Sequence, residues 1–347
     1  MDTTSRPTIA DVARHAGVSK GLVSFALNDR PGVAPHTRER ILASAQALGW
    51  TPSVRGRSLS TGRSFACGLV IGRSPDVIAA DPFFPSFIAG VEDELSTAGQ
   101  VLVLAVATPG RQEADIYRAL VADNRVDGVI VSDLRVDDER LELIKDLRLT
   151  AVTLGEPETP IGLSSISVDD AAGIRLAVEH LVGLGHRDIA HVAGPAEMLH
   201  AARRTAAFRA AVDAAGIRGR IVTTDFSARE GARATAEMLD DPARPTAIVY
   251  ANDQMAVAGS AVAQRRGLRV PEDLSVTGFD DTDIGRYLNP ALTTVSTDAR
   301  SWGALAARTL LRAVDGGDVV RLALPRPSLT VRESTGPAPE PRGSARG

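Results

Sequence analysis

Over the first fifty positions the apolar residues recur three and four apart, the period of helices that hide one face. The pattern predicts a helix over residues 9–15, opened by Thr8 and completed as a capping box by Asp11. Gly17 ends it and Ser19 is placed to cap a second helix over 19–27. Ile41, Leu42, Ala45 and Leu48 put a third over 35–48, and Asn28-Asp29-Arg30-Pro31-Gly32 reads as the turn before it. Ile9, Val12, Ala13, Val18, Val23, Leu27, Ile41, Ala45 and Leu48 form the expected core of this small all-α unit.

Beyond residue 65 the pattern changes. Short apolar runs at 66–71, 101–107, 128–132, 151–154, 189–192, 220–225, 247–250 and 275–279 have the unbroken hydrophobicity of strands covered on both faces. Amphipathic segments separate them: Phe87, Val91 and Leu95 share one helix face, and Ile174, Val178 and Leu181 share another. Such alternation predicts an α/β body of doubly wound parallel sheets, and 347 residues leave room for two. Ligands of open α/β sheets bind beyond the carboxyl ends of the strands, which singles out Asp81-Pro82-Phe83-Phe84, Asn252-Asp253 and Asp280-Asp281.

Composition narrows the class. A hydrophobic content of 44% supports a sizeable core, yet no apolar run is long enough to span a bilayer. The opening residues lack the apolar stretch of a secretory signal, and one cysteine, Cys67, excludes a disulfide framework or a multi-cysteine metal site. These features point to the cytoplasm. The net charge of −4 conceals an asymmetry: residues 1–64 carry nine basic and four acidic side chains, so the head is +5 and the remainder −9. A basic module on an acidic body is the footprint of a DNA-binding head on a regulatory domain.

Ala13, Gly17 and Val23 have the A-x3-G-x5-V spacing of a helix-turn-helix: a small residue for close approach, a glycine for the turn, a β-branched residue behind the second helix. The stretch TIADVARHAGVSKGLVSFALNDRPGVAPHTRERILASAQALGWTPS resembles the headpiece of the LacI/GalR family of bacterial transcriptional regulators, and the likeness continues through the body. The resemblance implies that the second helix enters the major groove with Lys20, Gly21 and Phe25 at the reading positions. Lys20 can donate to guanine O6 and N7, and Gly21 permits close backbone approach. Phe25 stands where many members carry arginine, and its ring can meet only a thymine methyl. Ser19, Ser24, Asn28 and Thr37 are candidates for phosphate contacts, with helix capping as a competing role for Ser19 and Thr37.

Residues 53–63 are too few for a stable isolated helix, and Gly56 weakens one further. In the family this hinge folds on DNA. The resemblance thus implies that Leu59 wedges into the minor groove with Arg55 and Arg57 beside it, a flexible basic linker being the competing reading. It also implies a headpiece over 1–52 and a two-lobed periplasmic-binding-protein-like body over 64–335 that the chain crosses three times. Lobe 1 would hold about 65–167 and 297–324, and lobe 2 about 168–296 and 325–335. The Pro/Gly-rich residues 336–347 read as a disordered tail.

Within the body, Arg204 and Phe208 fall in an R-x-x-A-F pattern close to the family's R-x-x-G-F. The resemblance implies that Arg204, Asn252 and Asp280 bind an effector on which Phe226 packs, with Phe83 or Phe84 stacking on its ring. A donor fork, an amide, a carboxylate and an aromatic face suit a polyol. Bland roles compete: a solvated helix arginine for Arg204, a cap for Asp280, a plain N-cap for Asn252, ordinary core for Phe226. Gly155 and Ala299 stand where some sugar-responsive members carry an aspartate and an aromatic.

No catalytic motif emerges. The histidines at 15, 36, 180, 186, 191 and 200 form no H-E-x-x-H, Gly183-Leu184-Gly185 lacks the third glycine of a dinucleotide loop, and there is no phosphate loop or nucleophile elbow. The expectation is a non-enzymatic, effector-responsive DNA-binding regulator without metal or cofactor, a repressor of carbohydrate-related genes. It would bind a palindromic double-stranded operator as a homodimer or tetramer, take a sugar or nucleoside effector, and sit at the nucleoid without a membrane partner. A free-standing sugar-binding protein of the same two-lobe fold is the alternative, against which the basic head counts.

Overall fold

The computed structural model describes residues 7–27, 30–51, 58, 61–108 and 112–340. The chain divides into two compact units, residues 1–65 and 66–347.

In the first unit, α1 (Ile9–His15), α2 (Lys20–Leu27) and α3 (Pro35–Ala47) follow the expected spacing. The Asp11 carboxylate accepts from the Thr8 N–H at 2.9 Å and the Thr8 hydroxyl at 2.7 Å, which fixes the start of α1. Gly17 adopts φ +64 in the turn to α2, a conformation that carries a penalty for residues with a Cβ. Val12, Ala13, Val23, Ile41 and Ala45 form the core with Ala16 and Ala26, and Trp50 and Val33 close its edge. The Arg38 guanidinium donates to the Ala26 carbonyl at 2.7 Å, tying α3 to the end of α2.

The second unit holds two six-stranded sheets. The first has the order β11 (Arg321–Ala323), β5 (Ser164–Ser167), β4 (Ala151–Leu154), β3 (Gly128–Val131), β1 (Ala66–Ile71), β2 (Val101–Val106), all parallel. The second runs β12 (Ser328–Thr330), β10 (Thr293–Ser296), β9 (Ser275–Asp280), β8 (Ala247–Tyr250), β6 (Asp188–Ala193), β7 (Arg218–Thr223). Its edge strand β12 pairs antiparallel with β10, so this sheet is parallel except at that edge. β7 begins two residues earlier than the hydrophobic pattern predicts, in register with β6 from Asp188↔Arg218.

Helices cover both faces, which is why β1 is buried at every position. Along β1, Cys67, Leu69 and Ile71 face α5 (Phe83–Thr97) and α12 (Ala299–Val314). Val70 faces the other way, towards α6 (Glu113–Ala122) and α7 (Glu139–Asp146). The second sheet is layered likewise between α8 (Asp170–Gly183) with α9 (Leu199–Ala214) and α10 (Ala228–Asp240) with α11 (Asp253–Arg265). A short helix α4 (Pro75–Ala80) and a 3-10 turn (Asp283–Tyr287) complete the unit. The chain passes between the sheets after β5, after β10 and after β11.

The disorder expected from residue 336 does not begin there. The Gly336 N–H donates to Ser275 Oγ at 3.1 Å and the Ala338 N–H to the Leu184 carbonyl at 2.9 Å, so backbone hydrogen bonds hold these residues despite their composition.

Candidate functional site

On the first unit, Ser19, Lys20, Gly21 and Phe25 are exposed on α2 and its approach, Ser24 is half-buried, and Val23 and Ala26 turn into the core. Ser19 Oγ accepts the Leu22 N–H at 3.2 Å and therefore caps α2. Thr37 does not cap: it lies inside the first turn of α3, which opens with Pro35, and its hydroxyl meets His36 Nε2 at 3.1 Å. Nothing in the fold demands glycine at 21, since a Cβ there would touch only Ser19 Oγ at 3.9 Å. Phe25 is 42% exposed, with the Arg30 guanidinium 5.7 Å from its ring centroid. Asn28, Arg55, Arg57 and Leu59 lie outside the described residues.

In the second unit, loops at the carboxyl ends of both sheets surround a cavity of about 70 Å³, and Phe83, Phe84, Arg204, Phe226, Asn252 and Asp280 all line it. Arg204, on α9, is buried rather than solvated: Nε donates to Asp170 at 2.8 Å, Nη1 donates to the Ala251 carbonyl at 2.6 Å, and the guanidinium lies over the Phe279 ring. Asn252 is the N-cap of α11, its Oδ1 accepting the Met255 N–H at 3.0 Å, and its Nδ2 donates to the Phe226 carbonyl at the same distance. The capping role and the cavity wall coincide in that residue.

Phe226 is fully packed yet faces the cavity, at φ +70. It leans on Gly194, where a Cβ would overlap its ring. Asp280 caps no helix. It ends β9 at φ +111, and its carboxylate has no hydrogen-bond partner among the described residues. Burial pushes it well above the ordinary carboxylate range, and the neighbouring Asp81, Asp253 and Asp170 push the same way against Arg204. Phe83 stacks on Phe87 at 5.7 Å and meets Phe84 and Trp302 edge-on, so the aromatic wall belongs to the first sheet's helices α5 and α12.

Several lining residues escaped the sequence reading. Arg73, two residues past β1, grips Asp133 with both ends of its guanidinium, at 2.7 and 2.5 Å. Its charge lies 4.7 Å from the Phe226 ring centroid and 5.5 Å from that of Phe84, so one side chain bridges the two lobes. Burial opposes ionisation of Asp133, but the Arg73 charge and hydrogen bonds hold it below the usual carboxylate range. His200 stacks on Phe226 at 5.3 Å, and burial beside Arg204 lowers it to about 3, leaving the ring neutral. Ser132 Oγ and Trp302 Nε1 line the cavity, buried and without partners among the described residues. Arg73 and Ser132 do follow strand carboxyl ends, a position the rule covers although the sequence reading named neither; for Trp302, three residues past the helix start, only the nearby Ala299 was a hint.

The loops also join directly. The Leu199 N–H donates to the Leu134 carbonyl at 2.8 Å and the Val136 N–H to the Glu197 carbonyl at 2.9 Å, and Arg203 reaches the Glu156 carbonyl at 2.6 Å. Among the described residues no cluster of side chains could hold a metal ion, and no helix is long and apolar enough to cross a membrane.

Comparison with known proteins matches residues 8–53 to the bacterial regulatory proteins of the lacI family and residues 178–335 to a periplasmic binding protein-like domain. The regulator CelR of Thermobifida fusca is 33% identical over 96% of this chain and all of its own length. The chain belongs to the LacI family. Solved LacI-family structures are similar to it along nearly the whole chain. A CelR–cellobiose complex superposes with a TM-score of 0.71 at 32% identity, covering 95% of this chain and 100% of that one. A lac repressor dimer bound to operator and the anti-inducer ONPF gives 0.80 at 30% identity, covering 96% and 100%. As a LacI-family member the chain is a DNA-binding transcriptional regulator.

Proposed function

We propose that this protein is a cytoplasmic, sugar-responsive repressor that binds a palindromic duplex as a homodimer. The observation that carries the reading is the joining, in one chain, of an exposed helix-turn-helix face to a cleft with an aromatic wall and unpartnered polar groups from both sheets. Lys20, Gly21 and Phe25 read the major groove, and Ser19, Ser24, Asn28 and Thr37 hold the phosphates. One head of this size buries too little surface for promoter affinity, so two are needed on matched half-sites.

Arg204, Asn252, Asp280 and the phenylalanines take the effector in the cleft. The bridging contacts of Arg73, Arg203 and the loop at Leu134 favour closed lobes, and an effector shifts the equilibrium only by its difference in affinity for open and closed forms. Closure alters how two copies of residues 53–63 can pair as helices on DNA, with Leu59, Arg55 and Arg57 in the minor groove. The chemistry of the cleft and the cellobiose complex of a relative favour a sugar. Fluorescence anisotropy of the full chain against a pool of palindromic duplexes, with and without cellobiose or maltose, tests the proposal. Selective binding that a sugar modulates supports it; equal affinity for every duplex defeats it.

A further inference from the structure

We propose that the cleft selects uncharged ligands and rejects anionic ones, phosphorylated sugars and nucleotides above all. The inference rests on the reading of this cleft as the effector site, and it follows from how its charges are already spent. Recognition of a phosphate needs a guanidinium fork or a row of free helix N–H groups. Arg73 gives its fork to Asp133 and lies between two aromatic rings. Arg204 gives Nε to Asp170 and Nη1 to a backbone carbonyl, which leaves Nη2 as a single donor for a ligand and no two-pronged fork for a phosphate. Arg203, half-buried, is turned to the Glu156 carbonyl.

The helix ends around the cleft are closed in the same way. Asp81 accepts the Phe83 N–H at the start of α5, Asp169 the Ala172 N–H of α8, and Asp298 the Ser301 N–H of α12. Asn252 does so for α11, and the first N–H of α9, from Leu199, goes to the Leu134 carbonyl. Three of these caps are carboxylates, which place negative charge where an anion would otherwise dock. Against the three arginines the cavity wall sets Asp81, Asp133, Asp170 and Asp280, one carboxylate in excess. Burial raises Asp280 above the ordinary carboxylate range, and the carboxylates of Asp81, Asp253 and Asp170 that add to this also oppose the approach of a phosphate dianion.

What remains unspent fits hydroxyl groups. Trp302 Nε1 is a buried donor and Ser132 Oγ a buried group that can donate or accept, both without a partner among the described residues, and Asp280 adds its carboxyl group. A hydroxyl both donates and accepts, so an uncharged polyol satisfies all three without bringing a charge to be neutralised. Ser132 and Trp302 are thereby assigned as specificity residues beside Asp280.

The test is calorimetric titration of the full chain with cellobiose, maltose, glucose and inosine, each against its phosphate ester. The uncharged member should bind at least tenfold more tightly wherever a pair binds at all. Asp280→Asn, an exchange tolerated at positive φ, should shrink that ratio, and Ser132→Ala should weaken the uncharged ligand without lowering the ligand-free melting temperature. A phosphate ester that binds as tightly as its parent overturns the selectivity while leaving the cleft in place as the site. Binding untouched by both variants, or no binding by any of the eight compounds, overturns the reading of the cleft itself.

Discussion

Arg204→Ala is the perturbation with the largest consequence. Arg204 is 8% exposed and its guanidinium is the hydrogen-bond partner of Asp170, itself only 7% exposed. Truncation leaves Asp170 inside the protein without its cation, and removing one partner of a buried pair costs about 3–5 kcal/mol. It also frees the Ala251 carbonyl and uncovers the Phe279 ring. For a unit spanning residues 66–347, at roughly 2 °C per kcal/mol, the melting temperature should fall by about 6–10 °C.

Replacing both partners, as Arg204→Ala with Asp170→Asn, removes the stranded charge and should recover part of that loss. Differential scanning fluorimetry on the four proteins of the cycle measures it, with sugar added to each. Ligand response should be absent from both variants that lack Arg204, because the donor is gone whether or not the fold is restored. Affinity for DNA should persist where the head is intact, since residues 1–65 form their own compact unit. An Arg204→Ala protein as stable as the wild type would refute the reasoning, as would a double variant no better than the single.

Three further outcomes follow from the same geometry. Asp253 accepts from Thr282 and Thr294, yet burial raises it to about 6. Its folded value exceeds its unfolded one, so the stability it contributes is complete below about pH 4 and is lost as pH rises through 6. The melting temperature of Asp253→Asn should gain on the wild type over that window by the equivalent of roughly 2–3 kcal/mol, and a pH-independent difference would contradict the assignment. Gly194→Ala should displace the Phe226 ring and reduce sugar affinity at least tenfold, with a smaller effect on DNA binding; titration calorimetry and anisotropy read the two. Lys20→Ala should cost about 1–3 kcal/mol at the preferred duplex and flatten discrimination at one base pair, visible as a loss of preference across single-base variants of the site.

The small head was readable nearly to the residue, because helical spacing, Gly17 and Ser19 act locally and nothing distant overrides them. The central strands were equally plain: 66–71 and 247–250 are apolar because helices cover them on both sides. Ser164–Ser167 and Thr293–Ser296 escaped notice because they are polar strands in buried positions. Their hydroxyls are paid for by partners far away in sequence, Val320 N–H donating to Ser164 and Thr294 donating to Asp253, which no periodicity reveals. The cleft divided in the same manner. Arg204, Asn252 and Asp280 carry a recognisable motif or stand at a strand end, whereas Arg73 acquires meaning only when Asp133 arrives from sixty positions downstream. The tail misled because composition describes a free chain, whereas the Ser275 hydroxyl holds Gly336 and the Leu184 carbonyl holds Ala338.

Asp280 and Asp281 occupy left-handed backbone one after the other, at φ +111 and +52. Only glycine, asparagine and aspartate enter that region cheaply, other side chains losing about 1–2 kcal/mol at each step. Anyone wishing to retune this regulator to a new effector therefore inherits a constrained position: bulky or β-branched substitutions at 280 strain the rim whatever the ligand. Ser132 and Phe83, whose backbones are unstrained, are where a library of altered sensors should be randomised.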